Sequence, residues 1–462
     1  MADSIQPVAL VNIVGLTPSM LDERMPRLQS LARSGTVRPL APVLPAVTCS
    51  VQASMVTGVQ PAEHGIVGNG WYERDQAEIR FWKQSNHLVQ AEKVWETARR
   101  RHPGFTAANC FWWYAMHAST DVTITPRPMY PVDGRKIPDI WTTPPALRDE
   151  LQSSLGRFPL FNFWGPTANI VSTKWIADAA RIVHDRFQPD LQMIYLPHLD
   201  YDLQRYGPAD SRADHALAEI DETAGSLIEH LQRDGRQVII VSEYGIVPVR
   251  DAVAPNRVLR EAGMLQVREE CGLELLDPGS STAFVVADHQ VGHVYVQDPA
   301  AMGEVTRLLA DCDGVAEVMD LEGIRQAGLD HPRSGDLVLL SEHDRWFTWD
   351  YWLDDSCAPD FARTVDIHRK PGYDPRELFL APGWAGSKPR LAAKLLAKKL
   401  GQRTVFDAIS LDTSRIGGSH GRVSAGGDGT IILPGVTKDL PERTACTAVR
   451  DLVLDSLFGS TG

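Results

Sequence analysis

Three short apolar runs constrain the fold more than any other feature of this sequence: Val8–Val14, Leu191–Leu196 and Val238–Val241, each followed by polar or turn-forming residues. Runs of this length, rich in β-branched residues and lacking polar alternation, suit strands buried on both faces, as in a parallel sheet. A parallel pair needs a crossover, and the sequence offers one. Ala213, Leu217, Ile220, Ala224, Leu227 and Leu231 recur at helical spacing just before Val238, which predicts a helix with one apolar stripe. Pro26 to Ser34, opening on proline and stopped by Gly35, predicts another. The expected class is α/β with a central, mostly parallel sheet between helices.

In such sheets ligands bind beyond the carboxyl ends of the strands. There the sequence places Gly15 after the first run, His198 and Asp200 after the second, and Glu243 after the third. Composition narrows the ligand. The 462 residues carry 46 Lys+Arg against 59 Asp+Glu, a net charge of −13, which argues against a protein that grips a nucleic-acid backbone. From about Gly263 to Pro359 the pattern shifts to short alternating runs, such as Ala283–Ala287 and His293–Val296. We therefore expect a core in two parts, residues 1–262 and 360–462, around an inserted cap-like β-rich subdomain at 263–359. Helical patterning returns at Pro389–Leu400, closed by Gly401, and Thr444–Leu457 predicts a last helix.

The chemistry points to Leu44-Pro45-Ala46-Val47-Thr48-Cys49. Proline and the β-branched pair predict extended chain, and the residues from Ser50 to Gly58 a helix, so Thr48 is expected at its N-cap. The free N–H groups and partial positive charge of a helix N-terminus suit phosphate. The surrounding text adds Met25-Pro26-Arg27-Leu28, Leu31, Gly35, Pro42-Val43-Leu44-Pro45-Ala46-Val47-Thr48, Thr57-Gly58-Val59-Gln60-Pro61 and His64-Gly65-Ile66-Val67-Gly68-Asn69. In order and spacing these resemble the nucleotide pyrophosphatase/phosphodiesterase branch of the alkaline phosphatase superfamily. The resemblance implies an alkaline-phosphatase-like fold, Thr48 as nucleophile and Asn69 as a donor to a phosphoryl oxygen.

It also implies two zinc ions held by six ligands, because a threonine hydroxyl is a poor nucleophile unless its alkoxide is stabilised. Here the ligand positions are Val14 for an aspartate, Asp200, Gln204 for a histidine, Glu243 for an aspartate, Tyr244 for a histidine, and His420. Asp200, Glu243 and His420 keep ligating chemistry, compatible with zinc and also with manganese or magnesium. His198, read as sharing a strand-end face with Asp200, and the pair Asp366 and His368 are further candidate ligands; Asp288, His289 and His293 form a weaker group. Phe111-Trp112-Trp113-Tyr114 could stack a base or sugar or simply pack. Arg363, Arg369 and Lys370 could counter an anionic substrate or simply be solvated.

Together these readings predict a phosphoric ester hydrolase using one or two divalent metals, zinc first, through a phospho-threonine intermediate. The alternative is a superfamily member that binds a phosphorylated ligand or a protein partner without turnover. The expected partner is a small phosphorylated substrate, with no nucleic-acid polymer and no membrane. Six scattered cysteines without a C-x-x-C pair, no secretory leader and no run of 18 apolar residues predict a cytoplasmic protein with reduced thiols.

Overall fold

The computed structural model describes residues 5–132, 134–365, 370–384, 392–394, 396–397 and 406–459. Its centre is a nine-stranded sheet with Val8–Ile13 in the middle, paired in parallel with Leu191–Leu196 on one side and Gln237–Val241 on the other. Beyond Leu191–Leu196 lie Ala107–Cys110 and Val122–Pro126, both parallel, and antiparallel Ile140–Thr143 at the edge. Beyond Gln237–Val241 lies Gly429–Leu433, antiparallel, then Thr36–Ala41 and the short Thr444–Ala445.

The alternation of side chains along Val8–Ile13 builds two cores. Ala9, Val11 and Ile13 face a layer containing the helices Pro26–Arg33, Ile170–Phe187 and Asp214–Arg233. Val8 and Leu10 face Thr48–Thr57, Val94–Arg101 and Val449–Phe458. All six residues of the strand are buried, so it must be apolar on both faces. Asn12 is the exception, fully buried and polar at the strand's carboxyl end.

A second sheet of four antiparallel strands follows the order Ala283–Asp288, Val291–Val296, Leu337–Ser341, Val315–Met319. It has its own apolar core, including Phe284, Tyr295, Trp349 and Trp352. The last helix begins at Val449, not Thr444, because Thr444 and Ala445 are drawn into the main sheet beside Leu40 and Ala41. The segment Pro389–Leu400 lies largely outside the described residues. Among those described, no helix is long and apolar enough to cross a membrane.

Candidate active site

Thr48 is the first residue of its helix; the N-cap is Val47, in extended conformation and with no side-chain cap. The expected N-cap position is thus corrected by one residue, with a chemical consequence: the Thr48 hydroxyl is not occupied in capping. The neighbouring amide is satisfied from elsewhere, with Cys49 N donating to Asn69 Oδ1 at 2.9 Å. The Asn69 amide nitrogen donates to Asp288 Oδ1 (3.2 Å) and Tyr373 Oη (3.1 Å). Asn69 is 2% exposed and every group on its side chain is engaged within the protein. Its side chain thereby fixes the helix N-terminus, beside the position from which the resemblance implies donation to a phosphoryl oxygen.

Thr48 Oγ1 lies 3.1 Å from Tyr244 Oη, and Tyr244 Oη lies 3.4 Å from Asp200 Oδ1. A carboxylate only accepts, so Tyr244 directs its proton to Asp200 and offers a lone pair to the threonine hydroxyl. Asp200 and Gln204 are four apart on the helix His198–Tyr206 and share a face; Gln204 Nε2 donates to Asp200 Oδ2 at 2.6 Å. Glu243 receives two amides on Oε1, from Asn12 (2.6 Å) and Gln52 (2.5 Å), and interacts with the Thr48 hydroxyl as well. Burial with no cation alongside raises the Asp200 carboxyl to about 7 and that of Glu243 to about 8.

His420 Nδ1 donates to the Ala46 carbonyl at 2.8 Å, which fixes the tautomer and leaves the lone pair on Nε2. Its ring stacks on Tyr244, centroids 3.8 Å apart and planes 8° from parallel, and lies 3.9 Å from the His289 ring. His289 sits in the two-residue turn between Ala283–Asp288 and Val291–Val296, with φ +58°. Turns of that kind favour asparagine, aspartate or glycine, so a histidine there indicates that its ring is needed. His289 Nε2 and Tyr373 Oη are 2.9 Å apart. The hairpin tip is fastened to the core by Gln290 N donating to His420 O (2.9 Å), while Ala46 N donates to Gly421 O (2.8 Å). Gly421 has φ +125°, and a Cβ there would come 2.9 Å from Gln290 N, so only glycine closes this junction.

Above Thr48 opens a cavity of about 150 Å³. Thr48, Asp200, Gln204, Tyr244, His289, Tyr373 and His420 line it at the chemical end, and Trp82, Trp113, Tyr130, Phe161 and Trp164 form aromatic walls. Among the described residues, Lys136 is its one lysine or arginine, and its Nζ also donates to the Val365 carbonyl.

The structure brings together Thr48, Asp200, Glu243 and His420. It does not bring His198. The residue lies on a helix, not a strand end, so a separation of two turns its ring away from Asp200; Nε2 lies 2.9 Å from Glu219 Oε2. Asp366, His368 and Arg369 lie outside the described residues. Lys370 is buried against Glu377 and serves the interior, and Arg363 lies at the end of a short helical turn away from the cavity. Of the weaker group, Asp288 and His289 belong to the site, while His293 is tied to the Val67 carbonyl beneath it. The aromatic run divides: Trp113 faces the cavity, whereas Phe111, Trp112 and Tyr114 are buried in the apolar clusters.

Nor does the implied metal centre assemble from these residues. Both Asp200 oxygens and Glu243 Oε1 face N–H and O–H donors, from Gln204 and Tyr244 on Asp200 and from Asn12 and Gln52 on Glu243. Among the described residues, the trio of His, Cys, Asp or Glu side chains whose ligand atoms converge is His184, Asp185 and His230. It lies at the other end of the sheet, where Ile170–Phe187 runs into Leu191–Leu196.

A family model for type I phosphodiesterase / nucleotide pyrophosphatase matches residues 8–374, spanning every site residue above except His420. The chain belongs to this family. Its fold is α/β, with a large and mostly parallel central sheet. An uncharacterised pyrophosphatase/phosphodiesterase of Schizosaccharomyces pombe is 23% identical over 237 residues, 49% of this chain and 41% of that protein. The chain thus matches about two-fifths of that curated relative's length. Among solved structures, phosphonoacetate hydrolase of Sinorhizobium meliloti 1021, in complex with phosphonoformate, superposes with TM-score 0.62 at 17% identity, covering 98% of this chain and 96% of that one. Murine ectonucleotide pyrophosphatase/phosphodiesterase 5, an inactive variant in complex with AMP, gives 0.59 at 14% identity over 98% and 94% of the two chains. At these identities the likeness is one of fold.

Proposed function

We propose that this family member hydrolyses a small phosphate ester at Thr48, and that its preferred substrate is a diester monoanion with an aromatic or apolar body. The observation that carries this reading is the chain of contacts from the Thr48 hydroxyl through Tyr244 to Asp200 at the floor of an aromatic cavity. Thr48 Oγ1 attacks phosphorus in line, its proton passing to Tyr244 Oη as the tyrosine proton passes to Asp200 Oδ1. The bond from phosphorus to the leaving oxygen breaks with its electron pair going to that oxygen, and water then cleaves the phospho-threonine. The helix N-terminus supplies fixed partial positive charge where the phosphoryl oxygens gather. A dianionic monoester is disfavoured, because among the described residues no lysine or arginine lines the chemical end of the cavity beside the Asp200 carboxyl group. The cytoplasmic placement belongs to the same proposal, supported by the unpaired, buried Cys49, Cys110 and Cys446.

The test is a panel of p-nitrophenyl phosphate diesters and monoesters with the wild-type chain, Thr48→Ala and Tyr244→Phe, together with mass spectrometry of the acid-quenched peptide that carries Thr48. Expected are diester turnover, a phosphorylated Thr48 and loss of both in Thr48→Ala. Turnover that persists in Thr48→Ala overturns the covalent route. A second reading, a member that binds a phosphorylated ligand without turnover, is favoured by the engagement of Asn69 inside the protein; saturable binding of a diester with no product is its signature.

A further inference from the structure

We infer that this pocket works without a resident divalent cation, the Tyr244 hydroxyl and the side-chain amides of Asn12, Gln52 and Gln204 having taken the cation's place. The inference concerns what occupies the site and stands whether or not the proposed turnover is found.

The first ground is the direction of the donors. A cation is held by lone pairs converging on a point, and here the carboxylates are met by hydrogens. Gln204 Nε2 donates to Asp200 Oδ2 at 2.6 Å, and Asn12 Nδ2 and Gln52 Nε2 converge on Glu243 Oε1 at 2.6 and 2.5 Å. The orientation of the Gln52 amide is fixed independently, because its Oε1 accepts from the Trp113 backbone N–H at 2.7 Å. Turned the other way, it would set an amide NH₂ against that N–H. Its hydrogens therefore face Glu243, the residue standing where relatives of this sequence pattern carry a metal-binding aspartate.

The second ground is shape. Tyr244 stands at a position implied for an imidazole, and its ring lies flat on His420, 3.8 Å away. The longer side chain carries its hydroxyl to 3.1 Å from Thr48 Oγ1, so a hydrogen-bonding group rather than a cation is the nucleophile's neighbour.

The third ground is that the replacements compensate one another. A buried carboxylate deprived of its cation is strongly destabilising unless donors satisfy it. Val14 removes one acidic group, while Gln204, Asn12 and Gln52 supply neutral donors to the two that remain.

The deciding experiment measures metal content by elemental analysis of full-length protein purified without chelator, and melting with added zinc, manganese or magnesium. The His230→Ala background removes the remote His184, Asp185 and His230 group. In that background we expect less than about 0.1 equivalent of metal and a melting shift below about 1 °C at metal concentrations that would saturate a tight site. About one equivalent of metal that survives His230→Ala and is lost in His420→Ala overturns the inference, as does a metal-induced stabilisation with the same pattern. An absence of diester turnover together with an absence of bound metal would defeat the proposed hydrolysis and leave this inference standing.

Discussion

Two regions of the molecule bury carboxyl groups, and they treat them in opposite ways. Beside the smaller sheet, Asp350 and Asp374 close on Arg376, with Nη1 2.9 Å from Asp350 and Nε 2.9 Å from Asp374, and Glu377 meets Lys370 at 2.6 Å. These three buried acids each have a cation, whereas Asp288, which faces the site, is held by Asn69 instead. At and beneath the floor of the cavity, Asp200 and Glu243 have amides and a hydroxyl. The first arrangement locks charges in place; the second keeps two acids near neutrality, where one can take a proton without an ion pair to break. The contrast teaches that burial alone does not decide what an acidic group does. The partner chosen for it does.

The largest effect is expected at the reacting end. Thr48→Ala should lower diester turnover by at least ~10³-fold with little change in melting temperature, since Thr48 contributes no cap. A comparable loss of stability would mean that the two regions are not functionally distinct. Next comes the locked region: Arg376→Met leaves Asp350 and Asp374 buried without a cation and should cost about 3–5 kcal/mol in a denaturant titration. A smaller value would show that those acids are held some other way.

Stability against pH sharpens the comparison further. Burial holds His64, His198 and His289 at about 3 and His293 at about 4, with His420 also well below its usual range. The unfolded chain therefore binds more histidine protons in acid, and stability rises with pH up to about 6.5. Above that, Asp200 and Glu243, raised to about 7 and about 8, keep protons that the unfolded chain has lost. Their contribution is complete below the ordinary carboxylate range and disappears as pH climbs through the folded values. Melting free energy should therefore fall between about pH 6.5 and 8, by about 1 kcal/mol per pH unit for Glu243 alone. A flat profile would place compensating charge at the site. Smallest is Glu243→Gln: exchanging a protonated carboxyl for an amide should change stability at pH 6.5 by less than about 1 kcal/mol and flatten that slope.

Much of this was legible in the sequence. The buried strands, the Asp214–Arg233 helix and the run ending at Thr48 all follow from periodicity and end signals that act within a few residues. What was not legible depended on distant pairing. His289 reaches the site because a hairpin closes over exactly two residues and docks on Gly421, and no spacing along the chain encodes that docking. Its one local signal was a histidine where a tight turn favours asparagine or glycine. His198 was misplaced because the short Leu191–Leu196 strand turns into a helix within two residues, which changes the side-chain period from two to 3.6. The roles of Asn12 and Gln52 were hidden for another reason: each reads as an unremarkable polar residue until the fold brings Glu243 between them.

The hairpin tip at His289 and Gln290 has one more consequence. Because its backbone bonds to His420 and its ring lies against that imidazole, the chemical end of the pocket is shared between the smaller sheet and a stretch more than a hundred residues further along the chain. Without the hairpin, His420 would keep its bond to Ala46 and its stacking on Tyr244 but lose the backbone bond from Gln290 and the His289 ring on its other side. The seam between the two sheets therefore runs through the chemical end of the pocket, and whatever loosens the one loosens the other.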